Sequence, residues 1–148
     1  MNRAQQTLII AARVLVAVVF LLNGLGIIDQ SEALRELIQR GTPVSIAPAL
    51  LFVGRTVEVV AGFSLAFGFY SRLSAIALFL FLIPVTWVGH PFWLVNETPL
   101  LVPQLINFFK NLAIMGGLIF IASIDSPIAA LNLRHNHRDT GRLASLIN

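Results

Sequence analysis

The sequence predicts an all-α fold, an integral membrane four-helix bundle with a short amphipathic helix in its first outer loop. Three observations carry that expectation. Of the 148 residues, 57% are hydrophobic and only 11% are charged, which is more apolar surface than one small soluble core can bury. The mean hydropathy is +0.84. Four apolar runs, residues 8–28, 47–69, 73–89 and 105–124, are each about 17 to 23 residues long. At about 1.5 Å of rise per residue, each is roughly enough to cross a hydrocarbon core of about 30 Å. One domain over residues 1–148 follows, with a basic tail after the last span.

Taken in order, the first run has the charged-then-apolar outline of a signal peptide, but Arg13 interrupts it and no clear small-x-small cleavage site follows. It reads as a retained first span. In the loop after it, Ser31 is placed to cap a short helix over residues 32–40, whose Ala33, Leu34, Leu37 and Ile38 form one apolar stripe; Gly41 ends it and Pro43 follows. Such a helix lies on the outer membrane surface. The second run starts near Ala47 and Pro48, and residues 70–72 leave so short a turn to the third that the two helices must be antiparallel neighbours. The third run is the shortest and contains Pro84, which removes one backbone hydrogen bond and predicts a kink that neighbouring helices can tolerate. Pro91 disfavours helical geometry at His90, so this helix stops there and Phe92 and Trp93 fall at interface depth. Orientation follows from the arginines: Arg3, Arg72, Arg134, Arg138 and Arg142 collect on one side, against Arg35 and Arg40 on the other, which places both termini in the cytoplasm.

The chain has no cysteine, which excludes a disulfide, a thiolate nucleophile, a Cys-ligated zinc and an iron–sulfur cluster held by this chain. The chain has a formal net charge of +3, and the tail arginines Arg134, Arg138 and Arg142 would meet anionic lipid heads, so the basic character is no argument for nucleic acid. His135 and His137 in that tail have no carboxylate or cysteine partner arranged around them, and a metal site is not expected.

Against this apolar background, Arg55, Glu58 and Lys110 stand inside predicted spans. Arg55 lies about 12 Å and Glu58 about 16 Å from the outer end of the second span, and Lys110 and Asn111 lie at roughly 12 Å in the fourth, with Asn107 one turn above. Asn23 and His90 end the first and third spans on the same side. Arg55, Glu58 and Gly62 share one stripe, as do Asn107, Lys110, Asn111 and Ile114, with Gly117 close by. Insertion scales charge about +2.5 to +3.5 kcal/mol for each isolated mid-bilayer charge, against about −0.3 to −0.6 for each apolar residue. Arg55 and Glu58 are therefore expected to pair, and Lys110 to face Glu58 or a ligand in a polar cavity. Plainer roles stand beside these. Arg13 and Lys110 are long enough to snorkel to the lipid heads, Arg55 and Glu58 to act as a packing clamp, His90 to cap backbone groups, and Trp87 and Trp93 to anchor the interface.

Four segments then bring a family into view: Arg55-Thr56-Val57-Glu58 leading to Gly62, Gly68-Phe69-Tyr70-Ser71-Arg72 at the inner turn, Gly89-His90-Pro91-Phe92-Trp93 at the outer mouth, and Asn107 through Lys110-Asn111 to Gly116-Gly117. Together they resemble the DoxX family of small bacterial inner-membrane proteins, over most of the chain from about Arg13 to Ile124. The resemblance implies a multi-pass protein of the bacterial inner membrane. Some members of the family are linked to thiosulfate:quinone oxidoreductases, and many have no established activity. Carried over residue by residue, the family pattern falls on Glu58, His90, Lys110 and Asn111. The leading expectation is a quinone-linked oxidoreductase subunit whose ligand-binding residues are Arg55, Glu58, His90, Lys110 and Asn111, with quinone as the cofactor to test, an oxidoreductase subunit as partner, and lipid around it. The lack of cysteine argues against covalent handling of sulfur by this chain. A non-catalytic amphiphile-binding or accessory protein, or a purely structural bundle, is the alternative.

Overall fold

A computed structural model describes residues 3–28, 31–96 and 98–124 of the chain. Among them are four helices long and apolar enough to cross a membrane. In chain order the elements are α1 (Arg3–Gly24), α2 (Ser31–Gln39), α3 (Ala47–Phe67), α4 (Ser71–Gly89), a single 3-10 turn (Phe92–Leu94) and α5 (Thr98–Ile124). The tail with Arg134, His135, His137, Arg138 and Arg142 lies outside the described residues, as does the side chain of Ser31.

Three helix ends differ from those the hydropathy predicts, beginning with the start of α1, which lies at Arg3, five residues before the predicted residue 8. The first span was expected to reach residue 28, yet α1 stops at Gly24. Gly26 takes a left-handed φ of 72°, its N–H donates to the Asn23 carbonyl and the Ile27 N–H to the Leu22 carbonyl. That reversal satisfies the last carbonyls while Leu25, Ile27 and Ile28 keep the sequence apolar. The last span was expected from residue 105, yet α5 begins at Thr98 and carries Pro103 within it. Pro99 sits in its first turn, where a missing N–H costs nothing. The other boundaries follow expectation. Gly41 ends α2 in a left-handed turn, Gly68 does the same for α3, and α4 runs through Pro84 to a C-cap at His90.

The spans form a ring in which α1 meets α3, α3 meets α4, α4 meets α5, and α5 returns to α1. The α1–α3 interface is the most extensive and the α1–α5 interface the thinnest. Ala17, Phe20, Ala61, Leu65, Ala75, Leu78, Leu82, Leu118 and Ile121 make a continuous apolar core. Most of that core lies toward the end that carries the α3–α4 turn. At this end Arg13 folds back over the turn: its Nη1 donates to Ser71 Oγ at 3.4 Å and lies 2.9 Å from where a Cβ on Gly68 would stand. A cation at the last turn of α3 opposes the negative end of that helix dipole. At the opposite end, α2 rests on α3 and α4, with Ala33, Leu34, Leu37 and Ile38 all partly buried and Arg35, Gln39 and Arg40 exposed.

Candidate functional site

Above the apolar core, toward the end that carries α2, the interior becomes polar. Glu58 is 6% exposed, Asn111 7% and Thr86 3%. Glu58 continues the inward face of α3 that Ala61, Gly62 and Leu65 define, and Asn111 continues that of α5, seven residues before Leu118. The level of each can be followed along the helices. Gly24 lies against Glu58, and Val16 lies 3.7 Å from where a Cβ on Gly117 would stand. Eight residues along α1 from Val16 reach Gly24, and a similar step along antiparallel α5 from Gly117 reaches Phe109 to Asn111. Glu58 and Asn111 therefore lie within about one turn of each other in height. The Thr86 hydroxyl, on the inward face of α4 nearer the loop end, is buried with no hydrogen-bond partner among the described residues.

Close approach of α1 to α3 assembles the carboxyl's surroundings. A Cβ on Gly24 would stand 2.8 Å from Val59 Cγ2 and 3.0 Å from both the Arg55 carbonyl oxygen and Glu58 Cβ, so only glycine lets the two backbones come this near. With α1 held there, the Asn23 amide donates a hydrogen bond to the Glu58 carboxyl, and Arg55 attracts it electrostatically. The Arg55 guanidinium points along the C-terminus of α1, its Nη1 3.9 Å from a notional Cβ on Gly26. There it meets the negative end of the α1 dipole as well as Glu58.

The other two expected residues stand at the rim. The His90 ring Nδ1 and the Gln104 side-chain amide are hydrogen-bonded at 2.9 Å, which bridges α4 to α5. Beside it Trp87, Phe92, Trp93, Phe108 and Phe109 form a continuous aromatic cluster. Lys110 does not point into the interior. Its side chain is exposed and its Nζ donates to Asn107 Oδ1 at 2.9 Å, one turn back on the same helix. Thus the structure brings Arg55 and Glu58 together with Asn23, buries Asn111 on α5 at a similar height, and leaves His90 bonded to Gln104 and Lys110 exposed. Asn23, Thr86 and Gln104 join the site without having been singled out as ligands by the sequence. Asn23 did carry a signal, being polar at the depth of the others. Thr86 and Gln104 carried none, because one hydroxyl or one amide is compatible with any span.

The polar groups buried or half-buried here are a carboxyl and the side-chain amides of Asn23 and Asn111, which accept and donate, beside a guanidinium that supplies fixed positive charge. Comparison with known proteins agrees with the membrane fold. The chain is 25% identical over 132 residues to the inner membrane protein YphA of Escherichia coli (strain K12), covering 88% of this chain and 92% of that protein. No solved structure matches. The DoxX family model matches residues 8–91, more than half of the chain and inclusive of Asn23, Arg55, Glu58, Thr86 and His90, and the chain belongs to the DoxX family.

Proposed function

We propose that this protein holds the head group of a lipid-soluble carbonyl compound of the quinone class in the polar layer of its bundle, as the membrane subunit of an oxidoreductase. The observation that carries the reading is Glu58, a carboxyl buried in the bundle beside Asn23 and Arg55, with Asn111 and the Thr86 hydroxyl also buried in the interior. A buried carboxyl is costly unless it is put to use, and an intramembrane ionisable group marks a ligand or proton path by default. Arg55 and Asn111 would hold the ring oxygens. As a quinol gives up two electrons and two protons, Glu58 would accept the two protons one after the other and pass each to water, and both electrons would go to a redox centre of a partner protein. With no cysteine, the chain supplies no thiolate for such a centre. The inner-membrane relative favours the same location for this protein, with lipid as its constant neighbour.

The test is direct. Protein purified in mild detergent is extracted with organic solvent and its small molecules identified by mass spectrometry, and decyl-ubiquinone binding is then measured in lipid nanodiscs. Binding that falls at least tenfold in Glu58→Gln and Asn111→Leu supports the reading. A parent chain that neither copurifies with nor binds such a compound leaves a structural bundle. Binding without any electron transfer to added acceptors leaves the accessory role.

A further inference from the structure

We propose that the amphiphile reaches the polar layer sideways from the lipid, through the seam between α1 and α5, where Lys110 is the cation that receives its head group. This rests on the ligand-binding reading above and adds to it the route and the receiving residue.

Three of the four seams of the bundle are closed at this level. Between α1 and α3 the Gly24 contacts leave no gap, and Gly62 packs against Leu21, with 3.0 Å from a notional Cβ to Leu21 Cδ2. Phe81 lies 3.3 Å from a notional Cβ on Gly54 and fills the space between α3 and α4. Between α4 and α5 stand the His90–Gln104 bridge and the aromatic cluster. The loop end above α3 and α4 is covered by α2. The remaining seam, α1 against α5, is also the thinnest of the four.

The side chains along that seam are ordered for the purpose. Val16 and Gly117 mark the level at which the two helices meet. Seven residues return a helix to nearly the same face two turns on. Two turns toward the loop end, Val16 leads to Asn23 on α1 and Gly117 leads to Lys110 on antiparallel α5, so these two stand on either side of the same stretch of the seam. Lys110 is exposed on the lipid side of it, its ammonium poised on Asn107. Asn23 is partly buried and reaches inward to Glu58. Lys110, Asn23 and Glu58 thus form a polar line from the bundle surface to its buried carboxyl. A carbonyl head attracted to the ammonium would exchange Lys110 for the interior donors while its tail stays in the apolar seam. A lysine that only snorkelled would need no companion asparagine across the seam.

The cysteine-free chain allows a clean test. Val19→Cys with Ile114→Cys places two thiols one turn above the Val16–Gly117 contact, and oxidation ties the seam shut below its opening. In nanodiscs, stopped-flow measurements of decyl-ubiquinone binding should show association and dissociation both slowed at least tenfold by oxidation, with the dissociation constant unchanged and the rates restored by reductant. A Lys110→Cys variant carrying a bulky maleimide plugs the same seam without depending on disulfide geometry and should slow both rates to a similar extent. Lys110→Met should slow association about fivefold and Lys110→Arg should not. Rates unchanged in the tied and plugged proteins, with binding intact, overturn the route and leave the site. A parent chain that does not bind the probe overturns both.

Discussion

Glu58 occupies a position on α3 where a bundle interior would ordinarily take leucine, and its hydrogen bond comes from Asn23 on another helix. Removing the amide strands the carboxyl, at a cost of about 1 to 3 kcal/mol for a buried polar group left without its partner. Asn23→Leu is therefore expected to destabilise the detergent-solubilised protein by that amount, and Glu58→Leu, which takes the carboxylate away from Arg55, to destabilise it as well. The double variant should fall short of the sum by about 0.5 to 3 kcal/mol. Unfolding by chemical denaturant measures the cycle, and strictly additive losses would show the two side chains to be independent. The depths of Arg55, Glu58 and Asn111 were legible in the sequence because depth can be counted along a helix from its ends. It did not give the direction of Lys110, because depth says nothing about azimuth. Lys110 and Asn111 stand at one level but about 100° apart around the helix, and the buried one is the asparagine. Only contacts with neighbouring helices, such as Val16 against Gly117, decide which of two adjacent polar residues looks inward.

At the scale of the element, the α1–α3 pair depends on a backbone approach that a single methyl would prevent. Gly24→Ala sets a Cβ 2.8 Å from Val59 Cγ2 and 3.0 Å from the Arg55 carbonyl oxygen, so the helices must part. The loss should be about 1 to 3 kcal/mol, as for other overpacked cores, together with weakened decyl-ubiquinone binding because Asn23 retreats from Glu58. A drop in binding without a drop in stability would show that the helices had not moved. At the other end of α1, Arg13 holds the α3–α4 turn. Arg13→Met should lower stability by about 0.3 to 2 kcal/mol while leaving the binding constant unchanged, since the polar layer is several turns away. The helices themselves were legible from hydropathy, the α2 stripe from its periodicity, and the stops at Gly41 and His90 from glycine and proline chemistry. The end of α1 was not, because Gly26 reverses the chain among residues as apolar as those before it. Nor was the start of α5, because Pro99 and Pro103 suggest a loop until the first turn of a helix is allowed to accommodate proline.

Across the whole molecule, Arg3 and Arg72 lie at the end with the α3–α4 turn, and Arg35 and Arg40 at the end with α2. With the arginines of the tail added, the excess of positive charge favours a cytoplasmic location for both termini. An alkaline phosphatase fusion at Asn148 should accordingly be inactive and a green fluorescent protein fusion bright; the reverse pair of results would invert the bundle and turn the polar layer toward the cytoplasm. The ring of four helices also bears on how the protein is made. On its own, α3 is a poor candidate for insertion, because Arg55 and Glu58 together cost about 5 to 7 kcal/mol on the scale that credits each of its Leu, Val and Phe with about 0.3 to 0.6. The helix that satisfies Glu58 is α1, which is also its most extensive neighbour and leaves the ribosome first. Synthesis order thus presents α3 with a partner already waiting in the bilayer, so that Asn23 acts during biogenesis as a docking point for the least hydrophobic span. A permuted gene that translates α1 last would leave α3 without that partner at the moment of its insertion, although every contact of the finished bundle remained encoded.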